Sequence, residues 1–165
     1  MPSFDAAFDA VLKFCAGLAG TIFVLIALSI CVNVVMRNSG AGSIRGLLDA
    51  VEYGLLAATF LAAPWVLWKH AHVTVDLLTA SLSPAVARPL ARAVALVGFV
   101  VSAVFLWYAV EAALASAARG SMIRTTFVVP EWWALSAAPV GFVMICIEFL
   151  RQAARPQLSH DMAGL

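Results

Sequence analysis

Charge is what this chain has least of. Of its 165 residues only 12% are Asp, Glu, Lys or Arg, against about 25% in an ordinary water-soluble domain. So few charges cannot cover a soluble surface, and 64% of the residues are hydrophobic. The class that remains is an integral membrane protein. A net charge of +1 also excludes a nucleic-acid partner, because that would need many phosphate-facing cations. Cysteine is scarce as well. Cys15, Cys31 and Cys146 all fall inside apolar runs. Their odd number argues against a disulfide framework, their spacing matches no metal pattern, and they read as small packing residues. Histidine occurs three times, at His70, His72 and His160, and never in mid-run.

What is abundant is uninterrupted apolar sequence. Residues 1–13 carry Asp5, Asp9 and Lys13 and form a short lead-in. An acidic start followed by a long apolar run is expected to stay in place as a first span and not to be removed as a signal. The run at 14–36 is free of charge and spans about 34 Å as a helix, enough to cross a bilayer. Gly40, Gly42, Arg45 and Gly46 then make a flexible connection. The second span is expected over 47–68, with Asp49 and Glu52 in its first turns, where the helix macrodipole favours acids. Pro64 should kink it near its end.

At Trp65 and Trp68 the chain reaches an interface, since tryptophan prefers the boundary between acyl chains and water. The densest polar cluster follows at once: Lys69, His70, His72 and Asp76. Over 73–82 the apolar residues Val75, Leu78 and Leu82 recur at helical steps. The segment is either a short amphipathic helix lying in the interface or an ordinary polar loop. Ser83-Pro84 is a helix start, and Arg88 and Arg92 lie on the exposed first turns of a third helix whose span covers about 93–115. Ala109, Ala113 and Ala117 repeat at the small-residue spacing that lets membrane helices approach closely. Arg119 to Val129 reads as a connection. Pro130-Glu131 opens a fourth span over 131–150, anchored by Trp132 and Trp133 and bent near Pro139-Val140-Gly141. The whole is one all-α membrane domain, 1–155, with four transmembrane helices and a flexible tail at 156–165.

With four spans both termini lie on one side. Lys13, Lys69, Arg88, Arg92, Arg151 and Arg155 flank that side, against Arg37, Arg45, Arg119 and Arg124 on the other. The excess of six over four points to cytoplasmic termini.

Chemistry is sparse. Bis-histidine haem ligation needs imidazoles on facing helices inside the bundle. His70 and His72 instead sit at the boundary, two residues apart, so a haem or quinone anchor subunit is only the alternative reading. Ionisable residues inside spans mark ion and proton paths, and the four apolar cores contain none. No nucleophile elbow or metal-spaced cluster surrounds the Ser, His and Asp residues, so no enzyme is expected and no cofactor. What is left is a packing subunit that works by its shape in the bilayer.

Glu52, an apolar span and then His70-Ala71-His72-Val73-Thr74-Val75-Asp76-Leu77-Leu78 resemble the small membrane subunit of tripartite ATP-independent periplasmic (TRAP) transporters, the DctQ-like family. Pro130-Glu131-Trp132-Trp133 and Pro139-Val140-Gly141-Phe142 look like the start and bend of that family's fourth span, and the likeness covers about residues 11–155. The resemblance implies a bacterial inner-membrane protein with cytoplasmic termini. It implies two partners: a large multi-span subunit that carries the substrate and sodium sites and moves as an elevator, and a periplasmic binding protein that delivers the substrate, commonly an organic acid. The small subunit would be a scaffold without sodium or substrate of its own. Glu52, His72 and Asp76 would be structural residues of the elbow, with His72 or Asp76 pairing with Arg88 or Arg92. Arg37, Arg45, Arg119 and Arg124 would face the periplasm, as a docking surface for the binding protein or as solvated anchors of the spans.

Overall fold

The computed structural model of the chain describes residues 2–40, 42–69, 84–124, 126 and 128–154. The stretch expected to lie in the interface, 73–82, and with it His70, His72 and Asp76, falls outside these residues, as does the tail at 156–165. The elements in order are α1 (Pro2–Asn38), α2 (Leu47–Trp68), α3 (Pro84–Arg119), β1 (Met122–Arg124), β2 (Val128–Pro130), α4 (Glu131–Leu135) and α5 (Ala137–Ala154). Four helical segments, Asp5–Asn38, Leu47–Trp68, Val86–Arg119 and Glu131–Ala154, are long and apolar enough to cross a membrane. The protein is an all-α membrane protein with one small β-hairpin.

α1 has 37 residues and is about 55 Å long, well beyond the ~30 Å of a hydrocarbon core. The lead-in at 1–13 is therefore not a separate piece: from Pro2 it continues the first span as one helix. α3, with 36 residues, is likewise longer than a hydrocarbon core is thick. α2 has 22 residues, about 33 Å, close to the thickness of a hydrocarbon core and much shorter than α1.

The helices stand in a row. α2 packs on α1 and α5, and α5 packs on α2 and α3. α1 and α3 occupy the two outer positions and share no packed seam among the described residues. Each contact is built from small residues or from one narrow stripe. On α1 the buried positions are Phe8, Leu12, Cys15 and Ala19, spaced four, three and four apart, which is one face of a helix. On α3 they are Ala87, Ala95, Ser102 and Ser116. The close approach of α3 and α5 depends on Gly98, where a Cβ would collide with the ring of Phe149.

The α2–α5 contact shows how a proline and a glycine cooperate. Pro64 lies inside α2 and has no N–H, so the carbonyl of Phe60, four residues earlier, loses its helical donor. Gly141 of α5 packs on that carbonyl: a Cβ there would stand 2.8 Å from the Phe60 oxygen. The bare Cα of glycine lets the two backbones meet where the ladder is interrupted, and a weak Cα–H···O contact fits this geometry. Around it Phe142 places its ring 5.7 Å from Phe60 and 5.6 Å from Phe105, centroid to centroid, joining α2, α5 and α3 by aromatic contact.

The fourth span breaks earlier than Pro139-Gly141. The interruption is at Ser136, between α4 and α5. The cause is still Pro139, because a proline ring clashes with the carbonyl four residues back, here that of Leu135. Ser136 eases the break: its N–H donates to the Trp132 carbonyl at 2.9 Å and its hydroxyl to that of Trp133 at 2.7 Å. The connection after Arg119 also holds more order than expected. Gly120 adopts φ +63° and turns the chain out of α3, and Met122–Arg124 pairs antiparallel with Val128–Pro130.

Candidate functional site

Ionisable side chains gather at the two ends of the row. At the end where α1 begins, Arg151 of α5 is the centre of a network. Its Nε lies 3.3 Å from Asp5 Oδ1, one terminal nitrogen 2.9 Å from Asp9 Oδ1 and the other 3.1 Å from Glu148 Oε2. Asp5 and Asp9 are one turn apart on α1, as are Glu148 and Arg151 on α5, so each pair shares a helix face. The guanidinium also lies over the Phe8 ring, 5.0 Å from its centroid. Glu148 is only 3% exposed, a burial that a carboxylate tolerates only when paired and hydrogen-bonded. Gln152 completes its environment. The amide nitrogen of Gln152 donates to Glu148 Oε1 and to the Leu67 carbonyl, both at 3.2 Å. The Leu67 carbonyl lies in the last turn of α2, where the Lys69 N–H also donates to it. The network thus joins α1 to α5 beneath the last turn of α2. Arg151 and Asp9 lie 142 positions apart in sequence, which is why the charges read singly as span-closing residues. The local signals that could have found it are the Asp5–Asp9 and Glu148–Arg151 spacings.

At the same end Trp68 stands half-buried between Lys13 of α1 and Lys69. Their Nζ atoms are 5.7 and 4.9 Å from the indole centroid. Trp65 is half-buried one turn earlier. Arg88 and Arg92 are exposed on the first turns of α3.

The opposite end is built around the hairpin. Thr126 donates its backbone N–H to Asp49 Oδ2 at 2.8 Å, tying the hairpin to the first turn of α2. Ser116, fully buried, donates its hydroxyl to Glu131 Oε2 at 2.7 Å, tying α3 to α4. Asn33 Oδ1 accepts from the Ile44 N–H at 3.0 Å, holding the α1–α2 loop back against α1. On this frame Arg37, Arg45, Arg119 and Arg124 are all exposed, and none has an ion-pair partner among the described residues. Trp132 and Trp133 sit edge to face, 6.1 Å apart, and are 40% and 61% exposed. Glu52 is also exposed, near the start of α2, a helix length away from Arg88. The expected partners of Arg88 or Arg92, His72 and Asp76, lie outside the described residues.

Among the described residues no group of three or more His, Cys, Asp and Glu side chains could hold a metal ion. What the arrangement offers is mechanical: one end is cross-braced by ion pairs around the buried Glu148, and the other presents cations on a fixed frame.

Comparison with the curated proteins finds no match. Residues 26–158 match the family model of the tripartite ATP-independent periplasmic transporters, DctQ component. That stretch takes in about the last third of α1, the whole hairpin end and the Glu148–Gln152 side of the network. The chain belongs to the DctQ family and is the small membrane subunit of a TRAP transporter.

Proposed function

We propose that this subunit is a non-catalytic scaffold for sodium-coupled uptake of an organic acid. It stabilises the large elevator subunit and, through Arg37, Arg45, Arg119 and Arg124, helps the periplasmic binding protein dock. It sits in the bacterial inner membrane with both termini in the cytoplasm, and sodium and substrate are bound by the large subunit. The open row of helices is the observation that carries this reading. With α1 and α3 each packed on one side only, apolar residues such as Phe14, Val35, Trp107 and Leu114 remain 66–72% exposed, and a broad apolar face is what a second membrane protein or lipid covers. The four exposed arginines, which have no ion-pair partner among the described residues, support docking, because exposed cations steer an acidic partner. The six-to-four distribution of flanking cations supports the orientation.

Co-expression with the large subunit tests the proposal. A stable one-to-one complex is expected, and in liposomes the large subunit should take up substrate with sodium and binding protein only when this chain is present. A chain that purifies alone as a homo-oligomer and transports solute by itself would overturn it.

A further inference from the structure

Two ammonium groups from different elements converge on one ring at Trp68. Lys13 approaches from α1 at 5.7 Å and Lys69 from the end of α2 at 4.9 Å, so their Nζ atoms are no further apart than the sum of those distances. Cation–π attraction holds each in place, yet two like charges about one indole repel. Neither lysine has an ion-pair partner among the described residues. Asp9, one turn before Lys13 on the same helix, is engaged by Arg151. Among the described residues this double positive charge is uncompensated, where the apolar part of α2 ends and the tryptophan marks the acyl-chain boundary.

A second feature begins at the same point. Lys13, Gly17, Gly20 and Val24 are spaced four, three and four apart and share one flank of α1. A Cβ at Gly17 or at Gly20 would meet nothing within 4 Å. The flank that leads from Lys13 into the span is therefore a shallow trough bare of side chains, with Phe14 and Val24 exposed beside it. A cation pair at the boundary, continuous with an apolar trough, has the layout of one phospholipid. An acidic segment of a protein partner would answer the charge and leave the trough empty.

We propose that Lys13, Lys69 and Trp68 hold the phosphate of an anionic phospholipid, one of whose acyl chains lies along Gly17 and Gly20 of α1. The two ammonium groups and the indole N–H are donors to phosphate oxygen, and anionic lipids attract basic residues near the surface.

The test uses the full chain in nanodiscs of phosphatidylcholine doped with phosphatidylglycerol, with native mass spectrometry to count the lipid that stays bound after extraction. Phosphatidylglycerol should be retained over phosphatidylcholine. The double variant K13Q/K69Q should lower that retention roughly tenfold or more, whereas K13R/K69R should keep it. G17L/G20L, which fills the trough and leaves both cations, should weaken retention as well. The proposal fails if K13Q/K69Q retains as much phosphatidylglycerol as the parent, or if phosphatidylcholine is held equally well. It fails too if inorganic phosphate displaces the lipid completely, which would make this a site for the free ion. If K13Q/K69Q sheds a co-expressed large subunit while keeping the lipid, the lysines serve an acidic segment of that partner and the proposal falls.

Discussion

Where α1 begins, one arginine holds three carboxylates, and Glu148 among them is buried. Where α1 stops, four arginines stand exposed with no acid engaging them among the described residues. The same side-chain chemistry is used in opposite ways at the two ends of one helix row. Removing a partner from a buried ion pair is costly because the remaining charge is stranded, whereas an exposed arginine contributes little to its own fold. The first end should behave as structure and the second as surface available to others.

The sharpest way to break that contrast is Arg151→Ala. It strands Glu148 and frees Asp5 and Asp9 from α5. Allowing for the 22% of the arginine side chain that water reaches, the expected cost is roughly 2–4 kcal/mol. Tryptophan fluorescence melts in detergent read it, and adding Glu148→Gln to the variant should restore part of the loss. A melting point that does not move would remove the braced end from the account. Next in size is Gly141→Val, which pushes a side chain into the Phe60 carbonyl and should cost about 1–3 kcal/mol by overpacking. Its effect should be similar whatever the salt concentration, unlike any change at the charged ends. Ser116→Ala comes third. It deletes the hydroxyl that Glu131 accepts from and should lose about 1 kcal/mol, seen as faster hydrogen exchange in the hairpin with the rest of the row unaffected. Smallest in stability is Arg124→Ala, expected to stay within about 0.5 kcal/mol of the parent. Its consequence should appear only with the binding protein present, as a slower, more salt-sensitive association. Should Arg124→Ala melt as far below the parent as Arg151→Ala, the two ends are not different in kind.

The membrane class, the four apolar helices and the tryptophan pairs are legible in the sequence because they rest on composition and run length, which are local. The network at Arg151 is not. Its partners Asp5 and Asp9 are far away in the chain, and nothing near Arg151 announces that α5 will end beside the start of α1. Gly141 was legible as part of a bend but not as the residue on which Phe60 rests, since that depends on which two helices become neighbours. The hairpin gave a weak signal in the β-branched Thr125, Thr126, Val128 and Val129, too short to set against the flanking arginines and glycine. The break at Ser136 shows a rule of position: a proline disturbs the turn before it, so the bend precedes the residue that causes it.

The single-file order of the helices has one more consequence. A bundle that closes on itself meets a neighbour through one or two helices and can roll against it. An open row leaves its outer helices free along one side, so a partner can be met by more than one helix at once. In the scaffold role proposed above, such a row would spread a sideways load from the large subunit over many residues instead of concentrating it on one seam.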